Sequence, residues 1–389
     1  MHIYRIQNNE DIYSIAREFG TSPMKISEDN ELTVRSSLPS GREILVIIPT
    51  RTYNVKSNDT LDMISRKFGV KKDALQRMNP ELKGREKLYP GQLLTVKNES
   101  GSYGMINTNG YFYRGCNIEN LIRAIPYLGY VTICSAVYKN GNIHNLFRTD
   151  EAVSLIRSVG RVPLVRVYLT ELPDSAKTAN FINSITILAK SGHFSGVTLS
   201  SPLGMKRDAK ELEALILEMR RALMESDLLL FAEGDAECNT SYMEYADAGI
   251  LTYDKIHKKD IPTFANGEEA TLTAFSESGE SSRTFLEISS FAYTSGKHID
   301  KSEAMKITDR KRGEISCDDD RKIAVTRYGK NKSKEIIYES LTNTKAKLNL
   351  ISELGFMGVC FDIGRVCLCD LMMMSTMFEV ITHPIVSNV

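Results

Sequence analysis

Two textures of apolar and polar positions divide the chain. In the first, the short alternating strands "HIYRI" and "RTYNV" each pass through an Asn-containing turn into a helix. Apolar residues recur in those helices at i, i+3 and i+7: Ile12, Ile15 and Phe19, then Leu61, Ile64 and Phe68. Gly20 and Gly69 stand where such helices stop, and a second helix leads to a turn and a closing strand in "LPSGREILVIIP" or "LYPGQLLTV". A shift of about fifty places, within the range of modular repeats, lays Tyr4 on Tyr53, Asn9 on Asn58 and Asn30 on Asn79. The repeat predicts two β-α-α-β units, residues 1–50 and 51–98.

The second texture follows the polar linker "NESGSYG". Apolar, β-rich runs ("YVTICSAVY", "RVPLVRVYL", "FSGVTLSS", "DLLLFAEG", "AGILTYD", "TFLEISSFAY", "FMGVCFDIG") alternate with helix-like segments. This alternation predicts an α/β fold, a single (β/α)8 TIM barrel over residues 104–389, with its ligand site at the C-terminal ends of the strands. The charge runs "DDDRK" and "GKNKSKE" predict a hairpin inserted before the last helix. The Glu-, Ser- and Gly-rich segment 267–283 reads as a loop, and "LCDLMMMSTMFEVI" as a last packing helix.

The Y-x-V-x-x-N-D-T-L, I-x-R-x-F-G and Y-P-G-Q-x-L elements of the repeat resemble the LysM module, the second copy more closely than the first. The resemblance implies binding of peptidoglycan or another N-acetylglucosamine-containing glycan in a shallow groove between the strand-helix turn and the loop before the last strand. Carried over by position, the groove comprises Asn58, Asp59, Thr60, Leu61, Asn79, Pro80, Tyr89 and Pro90, and in the first copy Asn9, Glu10, Asp11 and Ile12. Asp59 and Thr60 also suit a helix N-cap, which needs the same residue types, so both readings stand.

The barrel, opening with "INTNGYFY" and "IPYLGYVTICSAVYKNGNIH", resembles the chitinase-like family-18 glycoside hydrolases, in particular the spore-cortex-lytic N-acetylglucosaminidases. That family uses substrate-assisted chemistry, with a fourth strand reading D-G-x-D/N-x-D-x-E. Aligned on Gly196, those positions here hold Ser195, Thr198, Ser200 and Pro202. Serine does not hold a transferable proton near neutral pH, and proline has none on its side chain. The chain also contains no Trp, so the aromatic floor of the family's innermost sugar subsite is missing. The motif is degenerate, and Ser195, Thr198 and Ser200 are expected to face the barrel interior. Ser200 and Ser201 read as hydroxyls capping strand ends rather than nucleophiles, since no His stands nearby in sequence.

Replacement acids at predicted strand ends are Glu233, Asp235, Glu287 and Asp362, with Tyr253 and Asp254 the best surviving match to the family's acetamide contacts. A structural Asp satisfying loop amides explains Asp254 equally well.

Composition narrows the rest. Lys plus Arg and Asp plus Glu both total 49 of 389 residues, which leaves no global drive toward nucleic acid. No run is long enough to span a bilayer. The seven cysteines are scattered, lack CxxC pairs and read as reduced core thiols, and the six histidines show no metal spacing, so no metal or cofactor is expected. The N-terminus has no apolar stretch after a basic start, which predicts cytoplasmic synthesis without a signal peptide and association with the spore coat, cortex or cell wall. These readings point to a glycan-binding protein of the spore or cell envelope with a pseudoenzyme barrel and spore-envelope proteins as candidate partners. A divergent glycosidase using relocated carboxylates is the alternative.

Overall fold

A computed structural model describes residues 1–32, 38–99, 103–200, 209–235, 240–252, 269–288, 291–294, 297–311, 313–320 and 322–384. The two repeats form separate small modules. In the first, strands His2–Arg5 and Glu43–Val46 pair antiparallel around helices Ile12–Glu18 and Pro23–Asp29. In the second, strands Pro49–Asn54 and Leu93–Asn98 enclose helices Leu61–Phe68 and Lys72–Met78. Each module buries its own core, Ile12, Ile15, Ile26 and Ile44 in one and Leu61, Ile64, Leu75 and Leu94 in the other.

The same buried asparagine closes both. Asn30 donates to the carbonyls of Ile26 and Leu45 and accepts from the Leu45 amide at 2.7 Å. Asn79 donates to the carbonyls of Leu75 and Thr95 and accepts from the Thr95 amide, also at 2.7 Å. A buried amide satisfied three ways ties the second helix to the closing strand.

Eight parallel strands then close a barrel: β1 Met105–Phe112, β2 Tyr130–Lys139, β3 Val162–Leu169, β4 Gly196–Ser200, β5 Leu229–Asp235, β6 Ala248–Thr252, β7 Thr284–Glu287 and β8 Gly358–Asp362. β8 pairs with β1 and β1 with β2, so no edge remains. Strand alternation sorts the side chains. Val165, Val197, Leu199, Leu230 and Val359 pack outward against the helices. Tyr130, Leu164, Phe231, Ile250 and Phe285 fill the interior, with the Tyr130 and Phe231 rings 5.3 Å apart. Gly196 is required where it stands, because a Cβ there would lie 2.5 Å from the Leu229 carbonyl oxygen.

Three expectations need correction. The predicted hairpin is a five-stranded antiparallel sheet, Lys297–Asp300, Phe291–Thr294, Lys334–Glu339, Ile323–Tyr328 and Glu314–Asp318 in spatial order, covered by helix Lys301–Lys311. The charge runs fall at its turns, while buried Ala304, Ile315, Ala324 and Ile336 supply a core. Within the segment read as a loop, Glu269–Glu277 is a helix, because Leu272 is fully buried and Phe275 stacks on Phe356 at 5.9 Å. The last helix ends at Met377, and Glu379–Ile381 adds a short parallel strand beside the start of β1.

Both modules dock on the barrel unit through polar contacts. Arg42 of the first pairs with Asp309 of the inserted helix, and Glu43 accepts from the Thr342 amide and hydroxyl at 3.0 and 2.9 Å. Asp73 of the second pairs with buried Arg161 at 2.8 Å and accepts from Thr382. Among the described residues no helix is long and apolar enough to cross a membrane.

Candidate functional site

The strand ends at the barrel mouth bring four polar side chains together. Arg166, on β3, sits at an inward-facing position of an otherwise apolar strand. It donates from Nε to Glu233 Oε2 at 2.7 Å and from Nη2 to Glu233 Oε1 at 3.0 Å. The same Nη2 donates to Ser200 Oγ at 2.8 Å, and Tyr111 Oη donates to Glu233 Oε1 at 3.0 Å. Glu233 lies beside Ser200 in the β4–β5 register. Deeper in the barrel, Thr132 donates to Asn109 Oδ1 at 3.0 Å and lies 3.4 Å from Thr198 Oγ1, while Asn109 Nδ2 contacts Cys360 Sγ at 3.3 Å.

Electrostatics follow from burial. Burial opposes the charge on Arg166, but the Glu233 carboxylate outweighs it and holds the guanidinium pKa well above its ordinary value. Burial, reinforced by Glu233, pushes the Tyr111 phenol well up. Glu233 therefore receives two charge-assisted hydrogen bonds from Arg166 and one from the Tyr111 phenol, which between them engage both of its carboxylate oxygens. A general acid must carry a proton to give away. Glu233 instead serves as the ion-pair partner of Arg166.

The other sequence-derived positions divide. Thr198 and Ser200 are buried and bonded across strands. Ser195, expected to face the interior, precedes β4 at the opposite end from the mouth, where its backbone bonds the Pro163 carbonyl and the Leu229 amide. Ser201, Pro202, Tyr253 and Asp254 lie outside the described residues. Asp235 and Glu287 end β5 and β7. Asp362 ends β8 and accepts from Arg365 at 2.6 Å, and burial raises its carboxyl pKa against that pairing. Arg365 also reaches Asp300 at 3.1 Å and stacks 4.5 Å from the Tyr113 ring centroid. Sequence reasoning missed Arg166 and Tyr111. The one available signal was an arginine in the middle of the apolar run "RVPLVRVYL".

In the modules, the turn residues serve the local fold. Asp11 and Thr60 are the N-caps, accepting from the amides of Ser14 at 2.7 Å and Met63 at 3.2 Å. Glu10 accepts from Tyr4 Oη at 2.6 Å and the Gln7 amide at 2.7 Å; Asp59 accepts from Tyr53 Oη and the Lys56 amide, both at 2.8 Å. Asn9 and Asn58 hold left-handed turns at φ 64° and 70°. Three of the expected groove residues have buried side chains, so any part they take in a groove falls to their backbone. The side chains of Ile12 and Leu61 lie in the module cores, and Asn79, 2% exposed, spends its amide on the backbone bonds above.

The two turns before the closing strands have different surroundings. In the second module Tyr89 is 59% exposed and Pro90 is exposed beside it, while a Cβ on Gly91 would meet nothing within 4 Å. In the first, the residue matching Leu88 is Leu38, 8% exposed, and a Cβ on Gly41 would lie 2.3 Å from the Ile315 carbonyl oxygen of the inserted sheet. The first turn is packed against protein. The second is open.

Comparison with known proteins agrees with both halves. The LysM domain matches residues 4–46 and 53–97. The structure resembles the spore cortex-lytic enzyme SleL of Bacillus megaterium, at 19% identity and a TM-score of 0.74, with 98% of each chain covered. It also resembles SleL of Bacillus cereus, at 17% identity and a TM-score of 0.73 over 98% of this chain and 99% of that one. The barrel alone resembles a chitinase from Chromobacterium violaceum, at 14% identity and a TM-score of 0.63 over 70% of this chain and 98% of that one. No curated protein matches the sequence. The chain is thus two LysM domains joined to a (β/α)8 barrel with the fold of the SleL enzymes and class V chitinases.

Proposed function

We propose that this protein is a peptidoglycan-binding protein of the bacterial spore or cell envelope, anchored by its LysM domains and carrying a barrel that does not hydrolyse glycan. The observation that carries the reading is the engagement of Glu233 by Arg166 and Tyr111 over Ser200. An acid whose two oxygens are already taken up by Arg166 and Tyr111 is poorly placed to reach and protonate a glycosidic oxygen. The exposed Tyr89 edge makes the second module the principal glycan contact, since an aromatic face offers a platform for a sugar ring.

A rival reading keeps hydrolysis and draws on Asp362, whose raised pKa suits a proton donor. Its engagement by Arg365 weighs against that role. Purified protein incubated with cortex-type peptidoglycan separates the two readings when retention and release of reducing ends are measured independently. Retention without release is the expected result. Release that survives Tyr89→Ala but disappears in Asp362→Asn would replace the proposal with the hydrolase.

A further inference from the structure

The fold gathers two cysteines and two acids that are unconnected to the mouth. Cys367 is the N-cap residue of helix Leu368–Met377, and Cys369 and Asp370 lie in its first turn. One ligand atom from each of Cys367, Cys369 and Asp370 lies within 4.8 Å of the others, and all three residues are buried. A tetrahedral zinc ion with metal–sulfur bonds of about 2.3 Å holds its sulfurs about 3.8 Å apart, so small side-chain rotations suffice.

The surroundings supply a second, independent observation. Both cysteines line a small cavity together with Glu43, Lys301 and Glu339. Glu339 is 3% exposed, and its Oε1 accepts from Lys347 Nζ at 2.8 Å. Its Oε2 is buried and has no hydrogen-bond partner among the described residues. A buried carboxylate oxygen left without a donor is unfavourable and calls for a ligand. Asp370 is held in place through Oδ1, which accepts from Lys301 Nζ at 3.0 Å and Thr344 Oγ1 at 2.8 Å, as ligating carboxylates generally are.

We propose that Cys367, Cys369, Asp370 and Glu339 form a structural zinc site that ties the inserted sheet to the last helix beside the first LysM domain. The two thiolates and the Asp370 carboxylate are the three groups that lie within 4.8 Å of one another. Glu339, outside that group but lining the same cavity, completes a four-coordinate set by turning its unpartnered Oε2 toward the ion. This donor set suits zinc rather than the oxygen-seeking magnesium or calcium. Binding breaks two S–H bonds and forms two S–Zn bonds. Two protons leave for each divalent ion that enters, so the buried charge balance around Lys301 is unchanged. The Cys-x-Cys spacing differs from the CxxC pairs of zinc fingers, which is why sequence reading expects no metal here.

The test uses the full chain, reduced and stripped of metal, titrated separately with Zn2+ and Co2+. The expected results are one tightly held equivalent, two protons released into weakly buffered solution, and a thiolate-to-cobalt charge-transfer absorption. Cys367→Ser/Cys369→Ser abolishes all three, and Glu339→Gln weakens zinc binding by about tenfold or more. The proposal is overturned if the wild-type chain takes up no stoichiometric metal or binds cobalt without the thiolate band. Unchanged zinc affinity in the double serine variant overturns it as well. The wild-type cobalt spectrum decides the matter even where a variant does not fold.

Discussion

Arg166 and Glu233 stand on β3 and β5, on either side of β4, and meet across it in a two-pronged ion pair of 2.7 and 3.0 Å. The pair spans the barrel mouth at the level of Ser200, which accepts from the same guanidinium. A strand end bearing a hydroxyl leaves room for this bridge. It also keeps a third buried charge out of the bridge.

Removing one partner should expose the dependence. Arg166→Met leaves the Glu233 carboxylate buried without a cation, and the expected loss is about 3–5 kcal/mol. Arg166→Met/Glu233→Gln should recover much of that loss, because no buried charge remains. Unfolding followed by circular dichroism measures both, and additive losses would show that the two residues are uncoupled.

Ser200→Asp places a second carboxylate beside Glu233, with one guanidinium to share. Like-charge proximity raises the pKa of one carboxyl, so the folded state binds its proton more tightly than the unfolded chain does. The destabilisation is therefore expected to be greatest above neutral pH and to shrink as pH falls toward 5, and glycan release should not appear. A melting temperature unchanged at pH 8, with stabilisation by added oligosaccharide, would instead indicate a functional pocket at the mouth.

The interface between the LysM domains should titrate. Burial, and then the neighbouring Glu28, push the Glu81 carboxyl up to about 7 from an ordinary 4.5, against the opposing charge of Lys25. Burial likewise raises Asp29 to about 6 from 3.8, despite its contact with Lys25 at 2.5 Å. Raised carboxyl values favour the protonated folded state. Their stabilising contribution is fully present below the unfolded values and is lost as pH rises through about 6 to 7. Glu81→Gln should flatten this fall in the melting temperature between pH 4.5 and 7, and an unaltered slope would assign it to other groups.

Glycan retention should depend on the second LysM domain. Tyr89→Ala is expected to weaken peptidoglycan retention by about threefold to tenfold, the value of a single aromatic contact. It should leave the melting temperature unchanged, because the ring is already exposed. Leu38→Ala, in the packed turn of the first domain, should do the reverse: lower stability by about 2–5 kcal/mol or less and spare retention in a pull-down below its melting temperature. Equal retention by wild type and Tyr89→Ala would move the binding surface elsewhere.

The sequence by itself determined the parts that depend on local pattern. Period and punctuation marked the two modules, because the apolar spacing of Ile12, Ile15 and Phe19 and the stop at Gly20 act within one helix and are repeated at Leu61, Ile64, Phe68 and Gly69. Strand-helix alternation implied the barrel, and the residues aligned with the catalytic motif contain no carboxylate from Ser195 to Ser200. Tertiary structure decided what depends on distant partners. Arg166 meets Glu233 across 67 positions of chain, a pairing that no local pattern encodes. Helix Glu269–Glu277 forms in a polar stretch because Leu272 finds a buried site, and five separate segments assemble the inserted sheet. The unequal LysM turns share one sequence pattern, and only docking closes the first, by setting Gly41 against Ile315. Local periodicity records what a segment can become. Which of its surfaces stays open is fixed by the burial of polar and apolar groups contributed by the rest of the chain.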